Sequence, residues 1–160
     1  MSSGAFQTPI GILQAVWERN ALISLSLTRK GSGTDRFPEL ERWISAYFSG
    51  KHPLRDFPLK PIGTPFQQTV WRHLLGIPYG ETRSYGEIAK RIAEEKGIPK
   101  MSAQAVGNAI GKNPILILIP CHRVIRSDGN IGGFACGIDV KEKLLQTEHI
   151  HLLKNQGASI

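Results

Sequence analysis

The chain has 160 residues, 41% of them hydrophobic, enough for one compact domain or one domain carrying a small N-terminal layer. Twenty lysines and arginines against thirteen aspartates and glutamates leave a formal charge of +7, which favours a polyanionic partner. The chain lacks an apolar run of the ~20 residues a membrane span needs, a secretion-signal pattern and C-x-x-C spacing for its two cysteines, so a reducing, cytoplasmic setting without disulfides is expected.

Ile10 to Trp17 and Ala21 to Leu27 read as two strands joined at Glu18-Arg19-Asn20. In the second, Ile23, Leu25 and Leu27 alternate with Ser24 and Ser26. The polar, glycine-bearing segment from Thr28 to Arg36 is a loop. Pro38 to Ser49 then places Leu40, Trp43, Ile44, Tyr47 and Phe48 on one helical stripe, with Gly50 as a stop. Residues 51 to 63 are proline-rich and extended, with room for one short strand near Phe57 to Leu59.

A second domain opens with a capping box: Thr64 as N-cap, Pro65 as first helical residue, Gln67 three positions on. Phe66, Val70 and Leu74 line one face of that helix. Ser84-x-x-Glu87 is another box and starts a helix carrying Ile88, Ala89 and Ile92. A third helix runs from near Ser102 to Gly111. The pair over roughly 84–111 resembles a helix-turn-helix, and a plain helical pair fits the pattern as well. Ala103, Ala105, Gly107 and Ala109 leave the third helix nearly bare, with Gln104 and Asn108 as its polar residues. Such a face admits either a neighbouring helix or a sugar-phosphate backbone.

The run Ile115 to Ile119 reads as a buried strand stopped by Pro120. Cys121 follows at the strand's edge, with His122 and Arg123 beside it. A base and a positive charge next to a thiol favour a thiolate nucleophile. A cysteine by itself is more often a small buried hydrophobe. Beyond it, Ile131-Gly132-Gly133-Phe134-Ala135-Cys136-Gly137 is a glycine-rich loop able to approach a flat ligand. The last helix starts at a box, Asp139-x-x-Glu142, and places Val140, Leu144 and Glu148 at i, i+4 and i+8. Glu148 is then either an inward carboxylate partnering His122 or a solvated residue at the helix end.

Asn113-Pro114-x5-Pro120-Cys121-His122-Arg123-Val124, with Ala105-Val106-Gly107 before it and Lys141-x2-Leu144-Leu145-x2-Glu148 after it, closely resembles the O6-alkylguanine-DNA alkyltransferases. The likeness covers roughly Thr64 to His149. It implies an α/β (α+β) chain: a small N-terminal antiparallel sheet plus helix over 1–62, then a mainly helical domain over 63–160 with a helix-turn-helix and a short sheet bearing the active-site cysteine. It further implies a monomer that binds duplex DNA containing O6-alkylguanine, flips the damaged base out and takes the alkyl group irreversibly on Cys121, without cofactor or metal. His122 and Glu148 would complete a relay, Tyr85 would contact the flipped base and its phosphate, and Asn113 would brace the active-site turn. Ser102, Gln104, Ala105, Gly107, Asn108 and Arg123 would face DNA, and Val124, Ile131, Phe134 and Ala135 would line the base pocket. Departures are Gln104 where the family usually has arginine, Ala135 where some members have serine, Cys136 where glycine is commoner, and a longer segment from Lys90 to Lys100. A lesion-recognition protein that does not repair is the alternative; Cys121 argues against it.

Overall fold

The structure, a computed structural model, describes Met1 to Ile150 and divides into two compact units. The first comprises Met1–Ile62 and Pro114–Leu116; the second comprises Gly63–Asn113 and the chain from Ile117 onward.

In the first unit β1 (Ser2–Thr8), β2 (Gly11–Glu18) and β3 (Ala21–Thr28) form an antiparallel sheet in chain order. β2 and β3 are legible in the sequence as strands, but β1 is not, because Ser2-Ser3-Gly4 breaks any two-residue hydrophobic period. Its register follows from a tight turn, in which the Thr8 hydroxyl donates to the Gly11 carbonyl at 2.7 Å. A bulge at Val16/Trp17 shifts the pairing, so that Leu22 and Leu25 are buried and Leu27 is half-buried. Helix α1 (Pro38–Phe48) supplies Leu40, Ile44 and Tyr47 to this core. Each such side chain contributes about 1.5–3 kcal/mol on full burial. Phe37 packs between Trp17 and Phe57 in tilted contacts, with centroids 5.2 and 5.1 Å away. Pro114–Leu116 adds to the edge of β3: Leu25 N donates to Pro114 O, and Leu116 N donates to Leu25 O, both at 2.9 Å.

That bridge is all that forms of the strand expected over Ile115 to Ile119. The run is buried throughout, but Ile117 lies at φ +73° and the chain turns there. Apolar composition reports burial, and here a turn is buried rather than a strand.

In the second unit the capping boxes form as read. Thr64 Oγ1 accepts from Gln67 N at 3.1 Å and starts α2 (Pro65–Leu75); Ser84 Oγ accepts from Glu87 N at 3.0 Å and starts α3 (Tyr85–Lys96). Gly97, at φ +68°, ends α3 in the left-handed region that glycine tolerates. Ser102 caps α4 (Ala103–Ile110) by accepting from Ala105 N at 3.1 Å. The fully buried Trp71 ties α2 to α4, its indole N–H donating to Ala109 O at 2.9 Å. Two residues before α3, β4 (Arg83–Ser84), pair in parallel with β5 (Val124–Ile125). This small sheet places the start of α3 beside the Cys121 segment. Helix α5 (Ile138–Thr147) begins after Gly137, and no side chain caps it; the expected Asp139–Glu142 box does not form, since Asp139 already lies within the first turn. Among the described residues no helix is long and apolar enough to cross a membrane, and no group of three or more His, Cys, Asp or Glu could hold a metal.

Candidate active site

The geometry starts at Pro120. Its φ of −81° and ψ of 65° make a tight turn in which Cys121 N donates to Ile119 O at 2.7 Å. The same carbonyl accepts from Asn113 Nδ2 at 2.8 Å, so Asn113 braces the turn. Cys121–Arg123 then form one 3-10 turn, and Val124 enters β5. Cys121 is buried, with 6% of its surface exposed.

The thiol differs from the sequence expectation. Burial pushes its pKa up to about 11, opposed by a hydrogen bond from Asn113 and by the charge of Lys141, while Cys136 raises it further. His122 and Arg123 do not offset this burial, and both are engaged by Glu148. His122 Nε2 lies 2.5 Å from Glu148 Oε2; Arg123 Nε donates to Oε1 at 2.8 Å and Nη2 to Oε2 at 3.2 Å. Gly80 N adds a bond to Oε1 at 3.0 Å, and Arg123 Nη1 donates to Ile77 O at 2.7 Å. The inward alternative for Glu148 therefore holds: only 2% exposed, it closes the C-terminal end of α5. Burial alone would raise its pKa, but hydrogen bonds and charge from His122 and Arg123 outweigh this and leave it at about 2. Burial lowers the pKa of His122, so a neutral imidazole faces an ionised carboxylate at pH 7. An Nε2–H donated to Glu148 leaves the ring's basic lone pair on Nδ1.

Arg123 is corrected by this geometry. Its guanidinium is committed inside the protein and is not available to DNA; a buried carboxylate needs its charge more than the surface does. The sequence reading also gave Lys141 no role. Lys141 is fully buried, and its Nζ donates to Val124 O at 2.7 Å and Gly133 O at 3.1 Å, 5.9 Å from the ring centroids of both Tyr85 and Phe134. Burial lowers its pKa to about 8. The signal was present: Lys141, Leu144, Leu145 and Glu148 fall at i, i+3, i+4 and i+7, and this is the stripe of α5 that is buried. Tyr79 was missed as well; its hydroxyl donates to Thr147 O at 3.1 Å, and its ring lies 5.8 Å from the Arg123 guanidinium.

Tyr85 reaches the site from the first turn of α3. Burial and the charge of Cys121 both raise its phenol, which places the two groups within electrostatic reach. A Cβ on Gly107 would meet the Tyr85 ring at 3.8 Å, and one on Gly132 (φ +75°) would meet its hydroxyl at 3.3 Å. Gly132 thus lets the pocket loop close on this ring, whereas at Gly107 a side chain would make only ordinary van der Waals contact with it. Of the pocket residues, Val124 and Ile131 are buried, Phe134 is half-buried and Ala135 is exposed. Ser102, Gln104 and Asn108 are exposed along α4, and Ala105 and Gly107 are half-buried. Cys136 is half-buried on the same loop as Phe134.

Fold and site define a class: a mixed α/β protein built around one buried cysteine whose neighbouring histidine is anchored by a buried carboxylate. Residues 65–150 match the profile of the DNA binding domain of 6-O-methylguanine DNA methyltransferase, and the chain belongs to that family. It is 50% identical over 118 residues to the methylated-DNA–protein-cysteine methyltransferase of Methanosarcina mazei, covering 74% of this chain and 72% of that one. The fold is similar to that of Mycobacterium tuberculosis OGT in complex with DNA, with a TM-score of 0.83, 40% identity and 92% of each chain covered. It also resembles an O6-methylguanine DNA methyltransferase from Methanococcus jannaschii, with a TM-score of 0.67, 26% identity and coverage of 94% and 95%.

Proposed function

We propose that this chain repairs DNA by moving an alkyl group from O6-alkylguanine in a duplex to Sγ of Cys121, once per molecule. The observation that carries the reading is the buried Cys121 next to the 2.5 Å His122–Glu148 contact, on a helix-turn-helix scaffold. The O6 of a stacked guanine is beyond reach of a buried sulfur, so the base must leave the helix. That costs a few kcal/mol, and least where alkylation already weakens pairing. Small residues on α4 admit the DNA backbone, with Gln104 and Asn108 as polar contacts and Ser102 at the helix N-terminus.

With the base in place, His122 takes the thiol proton on Nδ1, directly or through a water. Glu148 holds the ring and stabilises the imidazolium. The sulfur lone pair attacks the alkyl carbon opposite O6, the C–O6 bond breaks, and its electron pair stays with the guanine. Tyr85 donates a hydrogen bond to the departing base as that charge develops. Desolvation makes the resting thiol unreactive, so a thiolate forms only when a proton acceptor and an electrophile are both positioned. The guanine anion takes up a proton at N1 from water as the His122 imidazolium returns its proton to solvent, so the products are guanine in DNA and a thioether on the protein; no step regenerates the thiol. Lys141 fixes Val124 and the Gly133 loop against the base and places a positive charge near the sulfur. The reading includes a monomer in a reducing cytoplasm, where a free thiol persists, with an N-terminal domain over 1–62 and the transferase domain over 63–160.

Incubation with a short duplex containing O6-methylguanine, followed by intact-mass measurement, tests this. The expected result is a stoichiometric gain of one methyl on Cys121, absent in Cys121→Ser. Lesion binding without any mass change would make the protein a recognition factor instead.

A further inference from the structure

The turn that follows the active-site segment carries an arginine that the chemistry above does not use. Arg126 N donates to Asn130 O at 2.9 Å, and Gly129 N donates to Arg126 O at 3.0 Å, so its backbone is held in a closed turn. Its side chain runs towards the pocket. A Cβ built on Gly132 would meet Arg126 Cγ at 3.4 Å and the Tyr85 hydroxyl at 3.3 Å, so the stem of Arg126 and the phenol of Tyr85 flank one point of the pocket loop. A Cβ on Gly86 would meet Ser127 Oγ at 3.5 Å, which sets the same turn against the first turn of α3. The guanidinium points outward, with its side chain 60% exposed, and its ion-pair partner is Asp128, at 3.1 Å and 48% exposed. Asp128 is itself held in position, because its Oδ1 accepts from Asn130 N at 3.0 Å.

An exposed arginine beside a phenol at the mouth of a base pocket suits a phosphodiester. Its planar fork binds two phosphate oxygens, and it has few other partners. We propose that Arg126 grips a backbone phosphate next to the extruded nucleotide, and that Asp128 is the resting counter-ion it gives up on binding. Surface ion pairs of this kind are weak, so the exchange costs little, while in free protein Asp128 keeps the guanidinium from other anions. Arg126 is a positioning residue: it touches the strand and not the reacting atoms. The identity of the ligand rests on the repair reading above.

The test is a double-mutant cycle on binding to a duplex containing O6-methylguanine, with Cys121→Ser in every protein so that no transfer occurs. Arg126→Gln should weaken binding severalfold and lower the slope of log affinity against log salt by about one. Arg126→Lys, which keeps the charge, should restore the slope and only part of the affinity. Asp128→Asn should tighten binding when Arg126 is present and do so much less in the Arg126→Gln background. An unchanged salt slope in Arg126→Gln, or an equal gain from Asp128→Asn with and without Arg126, would overturn the clamp. Methyl transfer by the protein with Cys121 intact is measured in parallel. Its absence would defeat the repair reading whatever Arg126 does, whereas transfer with an unchanged slope defeats the clamp alone.

Discussion

Replacing Glu148 by glutamine perturbs the buried network with almost no change of shape. The native carboxylate accepts from Gly80 N, His122 Nε2 and two nitrogens of Arg123, at 2.5 to 3.2 Å. An amide has one acceptor oxygen, so its NH2 group opposes a donor in either orientation. Arg123 keeps its charge but loses its counter-ion, and a broken buried pair costs about 3–5 kcal/mol. The titration of Glu148 gives a second figure. Lowering its pKa from 4.5 to about 2 corresponds to about 3 kcal/mol. The folded carboxyl holds its proton less tightly than the unfolded one. This stabilisation is therefore complete above about pH 5 and is lost as pH falls towards 2. Urea unfolding of both proteins should show a difference of about 3 kcal/mol at pH 7 that narrows steadily from pH 5 to 3.5. Other acids titrate alike in both and cancel. A difference that stays constant over that range, or one below about 1 kcal/mol at pH 7, would refute the role given to Glu148.

Other outcomes follow from the same geometry. With its pKa near 11, Cys121 should react with iodoacetamide at pH 8 about a hundredfold more slowly than a thiol of pKa 9, rising about tenfold per pH unit to pH 10; peptide mapping by mass checks this, and a fast, pH-independent reaction would contradict it. Lys141→Met removes two hydrogen bonds to buried carbonyls, each worth about 1–3 kcal/mol, but also relieves a desolvation cost of about 3 kcal/mol. Stability at pH 7 should change little while methyl transfer slows at least about tenfold, and equal losses in both would make Lys141 merely structural. Gly132→Ala forces a side chain onto φ +75° and against the Tyr85 hydroxyl. It should cost about 1–3 kcal/mol in urea unfolding and slow transfer, and a variant with native stability and rate would remove Gly132 from the account of how Tyr85 is held.

Much of the architecture is legible because it rests on local rules. The boxes at Thr64 and Ser84 and the cap at Ser102 name helix starts through hydrogen bonds between residues three apart. The two-residue alternation of β3 marks a strand. The segment from Asn113 to Val124 points to Cys121 as the nucleophile through its resemblance to the alkyltransferases, where composition alone leaves a small buried hydrophobe as an alternative. Elements without a local rule were missed or misread. β1 has no two-residue hydrophobic period at its start and is held by its pairing with β2. Ile115 to Ile119 has strand-like composition, but the turn at Ile117 depends on where the chain must deliver Cys121.

By itself, then, the sequence determined the helix caps, the strand alternation, the identity of Cys121 and the polar residues of α4. Tertiary structure alone decided that Arg123 faces inward, that the Lys141 ammonium bonds to the Val124 and Gly133 carbonyls, and that the thiol is protonated at rest. The reason is electrostatic. Whether a charged side chain meets water or a carboxylate, and whether a thiol is solvated, depends on which distant backbone closes over it. Here β4 and β5 bring Tyr85 to the cysteine segment and the end of α5 brings Glu148 to His122 and Arg123; helix spacing makes Glu148 a candidate for the inward stripe but does not decide between His122 and solvent.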